Sequence, residues 1–276
     1  MSTLYLVGVP IGNWEDITFR AIETLKKVDI IAAEDTRKAK KLLTNFSITP
    51  SRLIAHHNAN EKTSSNGVVQ LLQEGNSVAF ISDAGMPGIS DPGFLLARTA
   101  IEKGVEVEVI PGVSAAPTAV VVSGLPCDRF FFQGFLPRQK SKQQKRLAEL
   151  NTYAETMIFY ESPRRVLDTL NVMIDVFGEN RQVCLCRELT KIHEEIIRTS
   201  LADLYKLLSE RESILGEISL VVAGEKAEPT SQEDIEEYIK LSLSNGVSPK
   251  VLKKELAEKL ETSAAKAYKI ILSFSK

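Results

Sequence analysis

The segment of this chain best equipped for chemistry is Ser82-Asp83-Ala84-Gly85-Met86-Pro87-Gly88-Ile89-Ser90-Asp91-Pro92-Gly93. Three glycines, two prolines and two aspartates follow an apolar run, Val78-Ala79-Phe80-Ile81. Glycine lets backbone approach a ligand closely and proline fixes the path. Loops at the carboxyl ends of parallel strands are where open α/β sheets bind ligands. Asp83, just past the strand, can accept from ligand hydroxyl or amino groups, so residues 83–87 read as a ligand contact. Asp91-Pro92 reads as a helix cap followed by a first-turn proline.

Two more small-residue loops follow apolar runs: Gly8-Val9-Pro10-Ile11-Gly12-Asn13 and Pro111-Gly112-Val113-Ser114-Ala115-Ala116. The first has neither the Gly-Lys-Ser/Thr end of a P-loop nor the dinucleotide fingerprint. The second allows close backbone contact at a helix N-terminus. Each alone reads equally well as a plain turn; as a set they converge. His56, His57 and His193 sit in no zinc spacing with Cys127, Cys184 and Cys186, so no metal is expected. His57, Asn58 and Asn60 read as a surface loop. No Gly-x-Ser-x-Gly elbow is present, so a hydrolase triad is unsupported.

Two basic stretches stand out. Arg37, Lys38, Lys40 and Lys41 have no acid between them, and residues 138–146 carry five cations, Arg138, Lys140, Lys142, Lys145 and Arg146, again with no acid. Phe130, Phe131, Phe132 and Phe135 precede the second stretch. Basic residues beside aromatics suit phosphate contact with base stacking, although such runs are more often a solvated face and a core.

The elements that must position these groups alternate strand and helix. Strands are expected at 4–7, 30–33, 53–55, 78–81 and 105–110. Helices are expected after Asp16 and Asp35 as caps, over 61–72, from Asp91 to near Gly104, and after Ser114 to near Gly124. That pattern argues for a mainly parallel sheet covered on both faces. Residues 125–146 look like a connector. A second alternating unit follows, with strands at 157–160, 182–186 and 218–222 and helices after Ser162-Pro163 and over 201–209. Beyond Gly224 the pattern becomes helical, with a linker around Glu228-Pro229-Thr230 and a break at Asn245-Gly246. The boundaries read as 1–124, 125–228 and a helical appendage at 229–276.

With 276 residues, 34 Lys+Arg and 36 Asp+Glu, the net charge is −2. That excludes collagen, coiled-coil and disulfide mini-protein classes, and any reliance on bulk positive charge to hold nucleic acid. An odd cysteine count suits a reducing compartment. Residues 1–10 read as a first strand rather than a signal peptide, and no apolar stretch reaches bilayer length. A cytoplasmic protein without membrane contact is expected.

Taken in order, the three loops, Ala33-Glu34-Asp35-Thr36-Arg37, His56-His57-Asn58, Gly134-Phe135-Leu136-Pro137, Phe159-Tyr160-Glu161-Ser162-Pro163-Arg164-Arg165 and Arg187-Glu188-Leu189-Thr190-Lys191 resemble the tetrapyrrole methylase superfamily. These are the class III S-adenosylmethionine methyltransferases, and the nearest match is the ribosomal RNA small subunit methyltransferase I subfamily. The resemblance spans residues 3–224 and extends to the helical tail. It implies two α/β domains with the methyl donor, S-adenosylmethionine, in the cleft between them. It implies a homodimer that methylates a cytidine ribose 2′-hydroxyl in the decoding region of 16S ribosomal RNA, free or within the small ribosomal subunit. Carried residue by residue, donor contacts fall on Pro10, Asp83, Gly85, Met86, Ser114 and Ala115, with Tyr160, Arg187 and Ile218 contributing from the second domain.

A ribose hydroxyl is a poor nucleophile while protonated, so a base or a cationic group that stabilises developing alkoxide would help. Glu188, Lys191 and Arg37 are the expected catalytic groups, because they adjoin the matched motifs. Arg138, Lys140, Lys142, Lys145 and Arg146 are the expected RNA contacts. The competing readings are a porphyrinoid methyltransferase, a non-catalytic RNA-binding protein and, disfavoured by the missing fingerprint, a nucleotide-dependent oxidoreductase.

Overall fold

The computed structural model describes residues 2–57, 61–225, 232–244, 247–260 and 262–274. Strands β1 (Thr3–Val7), β2 (Ile30–Ala33), β3 (Arg52–Ala55), β4 (Val78–Ile81) and β5 (Glu106–Ile110) form one sheet of order β3-β2-β4-β1-β5. Every pairing in it is parallel. Helices α1 (Phe19–Lys27), α2 (Thr36–Asn45), α3 (Glu61–Gln73), α4 (Phe94–Glu102) and α5 (Ala115–Ser123) alternate with the strands. The period of two sorts the apolar strand residues. Val7, Ile31, Ala33, Ala79 and Ile81 pack with Ala21 and Leu25 of α1 and Leu42 and Leu43 of α2. Leu4, Ile30, Ala32, Val78 and Phe80 pack with Val68 and Leu72 of α3 and Leu96 and Ala100 of α4. Both faces are thus covered, as continuous apolar parallel strands require. The strand order sets β4, β1 and β5 side by side, so the three small-residue loops leave the same edge.

Two caps differ from expectation. Asp16 lies in a 3-10 turn, Trp14–Asp16, and α1 is capped instead by Thr18, whose Oγ1 accepts from Ala21 N at 3.1 Å. Asp91 does not cap α4. The loop curls back, with Gly88 N donating to the Pro92 carbonyl at 3.0 Å, and the helix begins only after Gly93. Glu61 Oε1 takes over the capping, accepting from Gly93 N at 3.0 Å and Leu95 N at 3.3 Å.

The second sheet is mixed. Strands β6 (Phe130–Phe135), β7 (Thr156–Glu161), β8 (Gln182–Arg187), β9 (Glu195–Ser200) and β10 (Ile218–Val222) lie in the order β6-β7-β10-β8-β9. Only β6 and β7 pair in parallel. Helices α6 (Lys140–Leu150), α7 (Val166–Phe177) and α8 (Leu201–Ser209) cover one face. The opposite face is covered by α5, whose Ala116, Ala119 and Val120 pack on Ile158, Cys184, Cys186 and Val221. One helix therefore closes the first alternation and buries the second sheet. Residues 125–146, expected as a connector, instead hold β6 and the first part of α6. A bulge between Phe132 and Gly134 breaks the alternation that would have marked β6. Strand β9 was not expected either; it pairs on one side only and keeps charged residues in its run.

Under the sheet, Gln143 Nε2 donates to Thr169 Oγ1 at 2.9 Å, and that hydroxyl donates to Glu161 Oε2 at 2.6 Å. All three residues are buried. Glu161 Oε1 also accepts from Ser162 N at 2.7 Å, and Arg165 Nη2 lies 3.5 Å from Oε2. This relay ties α6 and α7 to β7. Thr169→Val keeps the shape but strips a donor from a buried carboxylate and an acceptor from a buried amide. A loss of roughly 2–3 kcal/mol is expected. Thermal unfolding should show it as a Tm lowered by about 4–12 °C, with Thr169→Ser close to the parent; an unchanged Tm would mean the relay carries no stability.

The chain divides into two compact units, 1–224 and 225–276. In the second, α9 (Gln232–Ser244), α10 (Pro249–Lys259) and α11 (Ala264–Phe274) gather around Ile239, Leu252, Leu256, Ala267 and Ile271. The expected linker at 228–230, the break at Asn245-Gly246, and Asn58 and Asn60 lie outside the described residues. Among the described residues no helix is long and apolar enough to cross a membrane.

Candidate active site

The loops after β1, β4 and β5 are knitted together by their backbones. Gly8 N donates to the Ile110 carbonyl at 2.9 Å, and Val9 and Gly85 exchange N–H···O bonds of 2.9 and 3.0 Å. Gly8 and Gly112 meet so closely that a Cβ on Gly8 would lie 2.8 Å from Gly112 N and Cα. This edge faces the second sheet across a cleft of about 370 Å³. Ile11, Ala84, Gly85, Met86, Ile89, Ser114 and Ala115 line it from the first half. Phe135, Tyr160, Pro163, Cys186, Leu189 and Ile218 line it from the second.

The charge of this cleft is strongly one-sided. Among the described residues, Glu34, Asp83, Asp91 and Glu217 line it against a single cation, Lys38; Glu161 is also on its wall but turns its carboxylate under the sheet to Thr169 and Arg165. Asp83 is the hub: its Oδ1 accepts from Asp35 N at 3.0 Å, its Oδ2 from Lys38 Nζ at 2.7 Å, and its own N–H donates to Glu34 Oε2 at 3.2 Å. Burial pushes the Glu34 carboxyl above its ordinary range, the Asp83 and Asp35 charges adding to it and the Asp83 N–H opposing. The Asp83 bond raises Lys38. Asp91 is pushed up to about 7, by burial first and then by Glu34, Asp83 and Glu217. Tyr160 is raised by burial, its ring set edge-on to Phe132 and Phe135 at centroid distances of 5.0 and 5.7 Å.

A second pocket of about 250 Å³ adjoins the first and shares Ile11, Lys38, Asp83, Ala84 and Glu217 with it. Pro10, Gly12, Trp14, Lys41 and Lys191 also line it. Asn13 N donates to Thr190 Oγ1 at 3.1 Å, fastening the β1 loop to the turn between β8 and β9. In that turn Glu188 and Thr190 adopt positive φ of 51° and 67°, and across the cleft Ser90 does so at 65°. Non-glycine residues pay for that conformation, and such strain gathers at functional sites.

Asp83, Gly85, Met86, Ser114, Ala115, Tyr160 and Ile218 all line the first cleft, and Pro10 lines the adjoining pocket. Arg187 lines neither; its Nε donates to Glu195 Oε2 at 2.8 Å and its Nη1 to the Leu215 carbonyl at 3.2 Å, while its backbone pairs with Ile218. Glu188 is turned to Lys191 Nζ (2.8 Å) and to Glu217 N (2.8 Å). Burial would raise its carboxyl, but those bonds together hold it below its ordinary value. Lys191 also reaches Glu217 Oε2 at 2.9 Å and lines the adjoining pocket. Arg37 is 87% exposed at the side chain and paired with Asp35 at 2.7 Å, outside both linings.

Arg138, Lys140, Lys142 and Lys145 are exposed on and before α6. Arg146 is instead braced against the fold. It bonds Gln133 Oε1 at 2.7 Å and Glu149 Oε2 at 2.9 Å, and its guanidinium lies 5.6 Å from the Phe131 ring centre. Glu34, Lys38, Asp91 and Glu217 were not singled out as site residues. Glu34 lies within the Ala33-Glu34-Asp35-Thr36-Arg37 motif and Lys38 in the basic stretch that follows it, and Asp91 was taken as a cap; Glu217, next to Ile218, carried no local signal.

A parallel and a mixed five-stranded sheet that meet at an acid-lined cleft define a two-sheet α/β architecture. A family model described as Tetrapyrrole (Corrin/Porphyrin) Methylases matches residues 3–205, and the chain belongs to that family. A protein of Halalkalibacterium halodurans named "Ribosomal RNA small subunit methyltransferase I" is 50% identical over 230 residues, 83% of this chain and 78% of the relative. A Bacillus subtilis (strain 168) protein of the same name is 42% identical over 265 residues, 93% and 89% of the two chains. Among solved structures, the methyltransferase CobJ matches with a TM-score of 0.62 at 18% identity, over 81% of this chain and 95% of that one. The last likeness concerns the fold.

Proposed function

We propose that this protein transfers the methyl group of S-adenosylmethionine to a cytidine ribose 2′-hydroxyl in the decoding region of 16S ribosomal RNA, as a cytoplasmic homodimer. The observation that carries the reading is the identity of 42–50% over most of the chain with relatives named for small-subunit ribosomal RNA methylation. The cleft fits the donor on its own chemistry. Four carboxylates against one lysine make a site for a cation, and the crowding that raises Glu34 and Asp91 is relieved by positive charge. A phosphate-bearing dinucleotide would meet like charge there.

When bound, S-adenosylmethionine supplies a methyl group already activated by its sulfonium. Gly85, Met86, Ser114 and Ala115 would hold it through close backbone and small side chains, with Pro10, Tyr160, Ile218 and the Arg187 backbone completing the cradle. Asp83 would accept from its polar groups. The chain's remaining work is to orient the acceptor and take its proton. Asp91 is the group we assign to that proton, because it lines the cleft with a pKa near neutrality. Lys191, held by Glu188 and Glu217, would stabilise charge developing on the ribose oxygen, and Arg37, at the start of α2, would meet RNA phosphate. Arg138, Lys140, Lys142 and Lys145 would add phosphate contacts, with Arg146 holding their helix in place.

The test is incubation with radiolabelled S-adenosylmethionine and small ribosomal subunits from cells lacking the enzyme. Labelled 2′-O-methylcytidine is expected. No transfer, together with no donor binding by calorimetry, defeats the reading; transfer to a tetrapyrrole in place of the subunit replaces it.

A further inference from the structure

The two adjoining pockets carry opposite chemistry. The larger is acidic; the smaller is lined by Lys38, Lys41 and Lys191 against Asp83 and Glu217. Lys38 and Lys191 are paired with those acids, whereas Lys41 has no ion pair among the described residues. It is exposed one turn along α2 from Lys38, so its ammonium remains available to an anion. Trp14 also lines this pocket. It is the only tryptophan of the chain, and it stays 44% exposed, with its ring set edge-on to Phe46 at 6.3 Å. A large indole left open beside a spare lysine combines the two groups that hold single-stranded nucleic acid: an aromatic face for a base and a cation for a phosphate.

We infer that this pocket takes a nucleotide of the acceptor RNA, its base stacked on Trp14 and its phosphate held by Lys41. The inference rests on the methyltransferase reading for the identity of the RNA. It adds a site that the basic stretch at 138–146 does not supply. The shared wall of Ile11, Lys38, Asp83, Ala84 and Glu217 brings a nucleotide seated here to the border of the acidic cleft, without requiring phosphate to enter among carboxylates. Cationic donor and anionic acceptor then each occupy the pocket of complementary charge.

A single tryptophan makes the pocket its own reporter. Titrating the full-length protein with a cytidine-containing single-stranded RNA octamer should quench Trp14 fluorescence saturably, and high salt should reverse it. By anisotropy of the labelled octamer, Trp14→Leu should weaken affinity about tenfold, while Trp14→Phe, which keeps an aromatic face, should lose less. Lys41→Ala should lower the slope of log K against log salt by about 0.7. Calorimetry with S-adenosylmethionine should give the parent donor affinity for all three variants. Unchanged octamer affinity in Trp14→Leu and an unchanged salt slope in Lys41→Ala overturn the inference. So does a Trp14→Leu variant that changes only its sedimentation coefficient, because Trp14 would then be a protein contact. Failure of the methyltransferase reading looks different: no methyl transfer by the parent protein, with octamer quenching intact.

Discussion

Asp91→Asn is expected to lower kcat by about 10²–10⁴-fold, the range a positioned general base contributes. Binding of S-adenosylmethionine should change far less than kcat. The carboxyl is not spent on holding the fold, because Glu61 rather than Asp91 caps α4. It lines the cleft, and burial with the charges of Glu34, Asp83 and Glu217 pushes it up to about 7. A base must be ionised to act, so parent kcat should rise about tenfold per pH unit below 7 and level off above it. The Asn variant should lose that limb. Glu188→Gln should not, since Lys191 and the Glu217 N–H keep Glu188 ionised throughout that range. Stability gives an independent sign. Between the unfolded value of 3.8 and about 7 the folded state holds the Asp91 proton and the unfolded state does not. Stability from this group is therefore full below 3.8 and is lost as pH rises towards 7. At pH 8 the variant is free of that penalty and should melt above the parent. Near-parent turnover of Asp91→Asn, or a flat parent profile from pH 5.5 to 8, would remove Asp91 from the role.

The first sheet was legible because its strands obey simple rules. All four residues of β2 and of β4 are apolar and buried, β1, β4 and β5 are each followed by a loop rich in Gly or Pro, and the helices between show a period near 3.6. The donor loops were legible for the same reason: ligand loops in a parallel sheet sit where strands end. The second sheet was harder. In β6 the run Phe130-Phe131-Phe132 does not alternate and Gly134 shifts the register, so periodicity fails although pairing with β7 is complete. Strand β9 carries Glu195 and Arg198 in an edge position, where propensity says little. Within the site, sequence could group residues by neighbourhood but not by partner. Glu188 and Lys191 looked free for chemistry and are bound to each other. Arg146 looked like a phosphate ligand and is a brace. Asp91 looked like a cap because Asp-Pro commonly opens helices; a bend at Gly88 and a glutamate 30 residues upstream, Glu61, decided otherwise. The Glu61 bonds to Gly93 and Leu95 are long-range, and nothing local encodes them.

Gly8→Ala is expected to abolish donor binding and to cost about 1–3 kcal/mol of stability, although only one methyl is added. The new Cβ would lie 2.6 Å from Met86 Sδ and 2.8 Å from both N and Cα of Gly112. A thioether can swing away, but a backbone cannot move without its strand. Gly112 lies two residues past the end of β5, and Gly8 is tied to Ile110 of that strand by a 2.9 Å bond. Pushing them apart drags the β1 loop from the β4 loop, where Val9 and Gly85 exchange their two bonds. Three walls of the donor cleft would shift at once. Gly112→Ala meets the Gly8 backbone at 3.0–3.1 Å and should show a milder form of the same defect. Gly67→Ala separates this from a general intolerance of the exchange. Gly67 lies within α3, and a Cβ there meets nothing within 4 Å. Alanine should therefore stabilise that helix by up to about 1 kcal/mol with donor affinity unchanged. Calorimetric titration with S-adenosylmethionine and thermal melts of the three variants decide the matter. Parent-like donor affinity in Gly8→Ala would mean that the loops are not interlocked through this contact. Loss of affinity in Gly67→Ala as well would mean that the site responds to stability alone. The opposite signs expected for one chemical change, at two positions that differ only in what surrounds the missing side chain, trace donor binding to the close approach of Gly8 and Gly112.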